Sequence, residues 1–104
     1  MSKPFTRENT EFETNIKEEV REPRRYKVLL HNDDYTTMEF VVFVLKVIFN
    51  KNEAEATHIM LTVHEKGVGV CGVYTTEIAE TKVALVHKMA RKEGYPLKCT
   101  MEEV

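Results

Sequence analysis

Four consecutive residues with polar side-chain nitrogen or oxygen atoms, His31-Asn32-Asp33-Asp34, follow an apolar stretch and form the first candidate for chemistry. The stretch before them, Tyr26-Lys27-Val28-Leu29-Leu30, reads as a buried strand. After them, Thr36-Thr37-Met38-Glu39 fits a capping box, with Thr36 as N-cap and Glu39 reaching back to it. Two carboxylates and an amide are thus expected on a short strand-to-helix turn beside hydrophobic core. Such acceptors suit an ammonium group or another small cation next to an apolar pocket. General acid–base work suits them less, because adjacent residues on an extended turn point in different directions. One Asp capping the turn and the other solvated is the simpler account. His64 would add a ring nitrogen, but spacing does not bring it to Asn32, and alone it reads as a helix C-terminal histidine favoured by the macrodipole.

Other motifs dissolve on inspection. Gly67-Val68-Gly69-Val70-Cys71-Gly72 matches the G-x-G-x-x-G string of dinucleotide sites. That fingerprint must follow a strand and open a helix. Here a helix precedes it, and Val68, Val70 and Val73 keep the run extended, so a turn into a strand is expected. His58 and His64 stand on different helix faces, and no Cys or His pair has metal-ligand spacing. Asp33-Asp34 lacks the alternating oxygen ligands of a calcium loop. Ser2 is the one serine, which leaves no serine nucleophile for a core active site. Cys71 and Cys99 lie in strand-like runs, where a thiol is inert. Neither a catalyst nor a cofactor or metal site is expected.

The elements that must position the turn are legible from periodicity. The chain has 104 residues with a formal net charge of −2, enough for one domain with a modest core and too balanced for a general nucleic-acid binder. No segment is apolar enough to span a bilayer and the N-terminus has no signal-like apolar region, so a cytoplasmic protein with reduced thiols is expected. Residues 1–24 are charged of both signs and are expected to be a disordered extension, although Phe12, Ile16 and Val20 recur every four residues as in a nascent amphipathic helix.

From residue 25 to 104 a core domain is expected. Phe40, Val41, Val44, Leu45, Ile48 and Phe49 form one stripe of a helix from about Thr37 to Phe49. Asn52-Glu53-Ala54-Glu55 caps a second helix with Ala56, Ile59, Met60 and Val63 inward, and Asn50-Lys51 makes the pair a hairpin. A strand over Gly67–Tyr74 precedes a third helix, capped by Thr75 or Thr76, with Ile78, Leu85, Val86 and Met89 inward. Gly94 ends that helix, and Leu97–Met101 reads as the last strand. The order β-α-α-β-α-β predicts an α+β two-layer sandwich, a three-stranded antiparallel sheet with three helices on one face.

Three strings then carry a resemblance: Asn32-Asp33-Asp34-Tyr35-Thr36 with Met38-Glu39-Phe40-Val41; Met60-Leu61 with Val63-His64; and Cys71-Gly72-Val73-Tyr74-Thr75 running into Glu77-Ile78-Ala79-Glu80-Thr81-Lys82-Val83. Together with Pro96-Leu97 and Cys99-Thr100 they resemble, from Tyr26 onward, the ClpS family of bacterial protease adaptors. The resemblance implies a non-catalytic adaptor that binds proteins with a destabilising N-terminal Leu, Phe, Tyr or Trp (an N-degron). It implies also that the adaptor passes them to a ClpA-type AAA+ unfoldase of the ClpAP protease. It places the amino-group ligands on Asn32, Asp34 and His64, with Asp33 beside them. It places the side-chain pocket on Leu30, Thr36, Met38, Val41, Met60, Val63 and Leu97, with Met38 as gatekeeper and Thr36 in a backbone-side clamp. Unfoldase docking falls on Glu77 and Lys82. Two departures are Thr37, where many members have Pro at the first helical position, and His31, where an apolar residue is common. The competing implication is a non-catalytic assembly domain resembling the C-terminal domain of the ribosomal stalk protein, since fold likeness alone does not separate the two. Neither a nucleic acid nor a membrane is an expected partner.

Overall fold

Residues 22–104 are described by a computed structural model; of the expected N-terminal extension, residues 1–21, with Phe12, Ile16 and Val20, lie outside them. Strand β1 (Arg25–His31) alternates Val28 and Leu30 towards the core with Lys27 and His31 away from it. It lies at the sheet centre, antiparallel to β2 (Val68–Thr75) on one side and β3 (Lys98–Glu103) on the other. Helices α1 (Met38–Val47), α2 (Glu53–Lys66) and α3 (Thr76–Lys92) are inserted in the order β-α-α-β-α-β, as expected.

The core is a single cluster between the sheet and the helices. All six stripe residues of α1 and its C-terminal turn are buried in it, alongside Val28, Leu30, Ala56, Val63 and Leu97. Cys71 and Cys99 are free and buried within it. Burial pushes both thiols up, Cys99 to about 12, so neither is a thiolate near neutral pH.

The third helix differs from expectation. Ile78 and Leu85 are about half exposed, and the contact face is Ala79, Val86 and Ala90. Close approach of a helix to the sheet selects small side chains at the contact, so the larger residues are displaced to the flanks. Lys82 on this helix is turned inward. Its Nζ donates to the Ile48 carbonyl at 2.6 Å and lies over the Phe49 and Tyr74 rings. It thereby satisfies a carbonyl left open at the end of α1.

Candidate functional site

The turn after β1 is built by one carboxylate. Asp33 Oδ1 accepts from the Tyr35 and Thr36 backbone N–H groups at 2.8 and 2.7 Å, and Oδ2 accepts from Thr36 Oγ1 at 2.8 Å. Burial pushes this carboxyl up, but the Thr36 and Tyr35 bonds together with the Arg91 charge outweigh it and hold Asp33 below its ordinary value. Asp33 is therefore a turn-former whose acceptor capacity is largely used within the chain.

Because Thr36 is held by Asp33, it does not cap the helix. Thr37 does so, with extended backbone and Oγ1 accepting from the Phe40 N–H at 3.1 Å. The one-residue shift puts Phe40, not Glu39, at the third helical position, so the expected capping box is absent. It also moves Thr37 out of the first helical position, where the family resemblance places it, and into the cap itself.

The second helix brings the other half of the site. The Asn52–Glu55 capping box forms as expected, with bonds of 2.8 and 3.0 Å. At the far end Gly67, at φ 90°, takes the left-handed conformation that closes α2. Its carbonyl accepts from the Asn32 N–H at 2.9 Å. This bond ties the end of β1 to the end of α2, and His64, in the last turn of α2, comes to the same cavity as Asn32. Gly69 tightens the arrangement, since a Cβ there would sit 2.7 Å from Val63 Cγ2. Two glycines of the dinucleotide-like string thus serve a helix end and a close strand–helix contact.

The result is a cavity of about 240 Å³ lined by Asn32, Asp33, Asp34, Thr36, Met38, Met60, Val63 and His64. One side presents an amide, carboxylates and an imidazole; the other presents two thioethers and a valine. Asp34 and His64 are exposed, and neither Asp34 nor Asn32 has its side chain committed to the turn bonds that occupy Asp33. Leu30, Val41 and Leu97, also expected in the pocket, are buried in the core and do not line this cavity. His31 belongs to neither group: it faces away from the helices, with Nε2 2.7 Å from Thr100 Oγ1 across β3. Of the docking pair, Glu77 is exposed in the first turn of α3, whereas the ammonium of Lys82 is the internal contact already described.

Such an arrangement can hold a cation by charge-assisted bonds while an apolar side chain attached to it enters between Met38 and Met60. Among the described residues no group of His, Cys, Asp and Glu is placed to hold a metal ion. No described helix is long and apolar enough to cross a membrane.

Comparison with known proteins identifies the family. Residues 21–100 match the family model described as ATP-dependent Clp protease adaptor protein ClpS. A Clp adaptor ClpS of Nitratidesulfovibrio vulgaris (Miyazaki F) is 72% identical over 89 residues, covering 86% of this chain and 89% of that protein. The ClpS of Wolinella succinogenes is 59% identical over 96 residues, 90% of this chain and 94% of its own. Among solved structures, Agrobacterium tumefaciens ClpS2 bound to L-phenylalaninamide superposes with a TM-score of 0.77 at 41% identity. It covers 80% of this chain and 100% of that one.

Proposed function

Since this chain belongs to the ClpS family and is a non-catalytic adaptor of an ATP-dependent Clp protease, we propose that its cavity reads the first residue of a protein substrate. The substrates are proteins beginning with Leu, Phe, Tyr or Trp, and the destination is a ClpA-type AAA+ unfoldase of ClpAP. The observation that carries this reading is the pairing, in one cavity, of Asn32, Asp34 and His64 with Met38, Met60 and Val63.

The chemistry derives from that pairing. A peptide α-amine titrates near 7.7–8.0, so it is mostly cationic at neutral pH. Asp34 and Asn32 accept from its N–H groups, and His64 accepts through a neutral ring nitrogen. An acetylated or internal residue lacks the charge and two of the three N–H donors. The side chain of the same residue fills the apolar half, where burial of Leu or Phe contributes roughly 1.5–3 kcal/mol. L-phenylalaninamide, bound by the Agrobacterium relative, carries the same three features: a free amine, a bulky apolar side chain and an amide where the next residue begins.

Thr36 and Asp33 hold the turn on which Asn32 and Asp34 stand. Leu30, Val41 and Leu97 back the pocket from the core. Glu77 is the exposed part of the docking surface for the unfoldase; Lys82 acts on that surface by holding α1 against α3. ATP-driven unfolding belongs to the partner. The test is degradation of a folded reporter beginning with Leu by purified ClpA and ClpP, with and without this chain. Acceleration that a Leu-initiated peptide competes away is expected. An unchanged rate contradicts delivery.

A further inference from the structure

A second, longer groove opens from the same rim. It lies between α1 and α2, has a volume of about 600 Å³, and shares Met38 and Met60 with the cavity at the turn. Its apolar lining is unusual for a helix surface: Met38, Phe43 and Val47 are 42%, 48% and 51% exposed, and Val42 and Met60 complete the floor. What sets them apart from the other half-exposed apolar residues is that they line one groove together, the contiguous exposure expected of a contact surface.

Its charge pattern is equally particular. Lys46 and Glu53 close the far end as an ion pair at 2.7 Å, so their charges are mutually satisfied. Glu39, on the wall near Met38, forms no ion pair with another described residue. The open end of the groove therefore presents an apolar floor beside one uncompensated carboxylate. An occupant with an apolar side chain next to a basic one complements it; an acidic occupant does not.

Length identifies that occupant. Met38 to Val47 spans nine helical steps, about 14 Å at ~1.5 Å per residue. An extended peptide covers that distance with about four residues at ~3.3 Å each. Met38 and Met60 border both cavity and groove, so the groove is continuous with the place proposed for the first side chain.

We infer that the α1–α2 groove is a second subsite, which takes an apolar side chain flanked by a basic one from the third to fifth positions of the peptide whose first residue fills the cavity. The inference rests on the proposed reading of that cavity and adds to it a preference for downstream sequence. Proteins with the same first residue are thereby ranked by their third to fifth residues.

Fluorescence anisotropy with six Leu-initiated peptides tests this: one with Ser at positions two to five, three with Phe placed at position three, four or five in turn, and the best of these with an adjacent Lys or Glu. Each is also measured with an acetylated N-terminus. Phe at one of the positions should tighten binding on the order of fivefold, and Lys beside it should bind more tightly than Glu. The Phe advantage should vanish in Phe43→Ser and in Val47→Ser, and the Lys-over-Glu preference in Glu39→Gln, while the Ser peptide binds all three variants as it binds the parent. Discrimination against acetylation with equal affinity for all downstream sequences overturns the groove and leaves the cavity reading intact. Equal binding of free and acetylated peptides overturns both.

Discussion

Asp33 accepts three bonds from its own turn, and Asp34 beside it accepts none of them. The two carboxylates are thus expected to separate in experiment. Asp34→Ala should weaken a Leu-initiated peptide by about tenfold or more, the value of a lost charge-assisted bond, with an unchanged melting temperature. Asp33→Ala should lower stability by about 1 kcal/mol, as loss of a capping side chain does, and reduce affinity only through the loosened turn. Calorimetric titration together with thermal melts distinguishes them; coincident effects in the two variants contradict the division. The Asp33 carboxyl is held below its ordinary value. Its contribution is therefore complete above the usual carboxylate range and is lost as pH falls through the folded-state value.

His87 titrates in a more accessible range. Its Nε2 accepts from the Cys99 N–H at 3.0 Å, which requires a neutral ring at that atom. Burial, then the nearby Arg91, lowers its pKa. The unfolded chain consequently binds the extra proton first, so this stability is full above about 6.5 and is lost as pH falls towards the folded-state value. Melting temperatures of the parent should drop over that interval. His87→Gln, whose amide oxygen accepts without titrating, should flatten the profile; an unaltered slope would assign it to another group.

At the scale of elements, the pocket is a seam between the end of β1, the start of α1 and the last turns of α2. Met38 lines that seam half exposed and is its proposed gate. Met38→Ala should widen it and admit peptides beginning with Ile or Val, whose branched Cβ a flexible thioether excludes. A peptide panel in which both remain rejected places the gate elsewhere. Much of this seam is legible from pattern alone. The α1 stripe, the Asn52–Glu55 box and the β-α-α-β-α-β order of elements each follow from a local rule that the tertiary structure does not override, whereas Gly67, read as the first residue of a strand, closes the helix before it.

The misses have specific causes. Thr36 and Thr37 are equivalent as caps in sequence, and the tie is broken by Asp33, which takes Thr36 for its own turn. Ile78 and Leu85 look like core by size, yet the third helix packs too closely for them, and the smaller Ala79, Val86 and Ala90 make the contact. Most consequentially, His64 joins Asn32 through one backbone bond, Asn32 N–H to Gly67 O, between residues 35 positions apart. No periodicity encodes that contact, and Gly67 as a strong helix stop before a strand is its only local trace.

For the whole molecule, the proposed function predicts that recognition and delivery divide along the chain. Every residue lining the proposed pocket lies in the described domain. The residues before it are charged of both signs with Phe12, Ile16 and Val20 at intervals of four. A chain beginning at Arg24 should therefore bind a Leu-initiated peptide as the full chain does and, on the proposed delivery, fail to accelerate its degradation by ClpA and ClpP, a polar extension being what an unfoldase pore would engage. Normal stimulation by the shortened chain would remove that role from residues 1–23.

The central claim is that the cavity at Asn32, Asp34 and His64 reads a free, charged α-amine joined to a bulky side chain. Its most direct measurement is anisotropy with two labelled peptides identical in sequence, beginning with Leu, one with a free and one with an acetylated N-terminus. The free peptide should bind, and the acetylated one should lose at least about a hundredfold in affinity, since the charge and two of the three donors directed at the acceptors are removed. Equal binding of the pair, or no binding of either, contradicts the account.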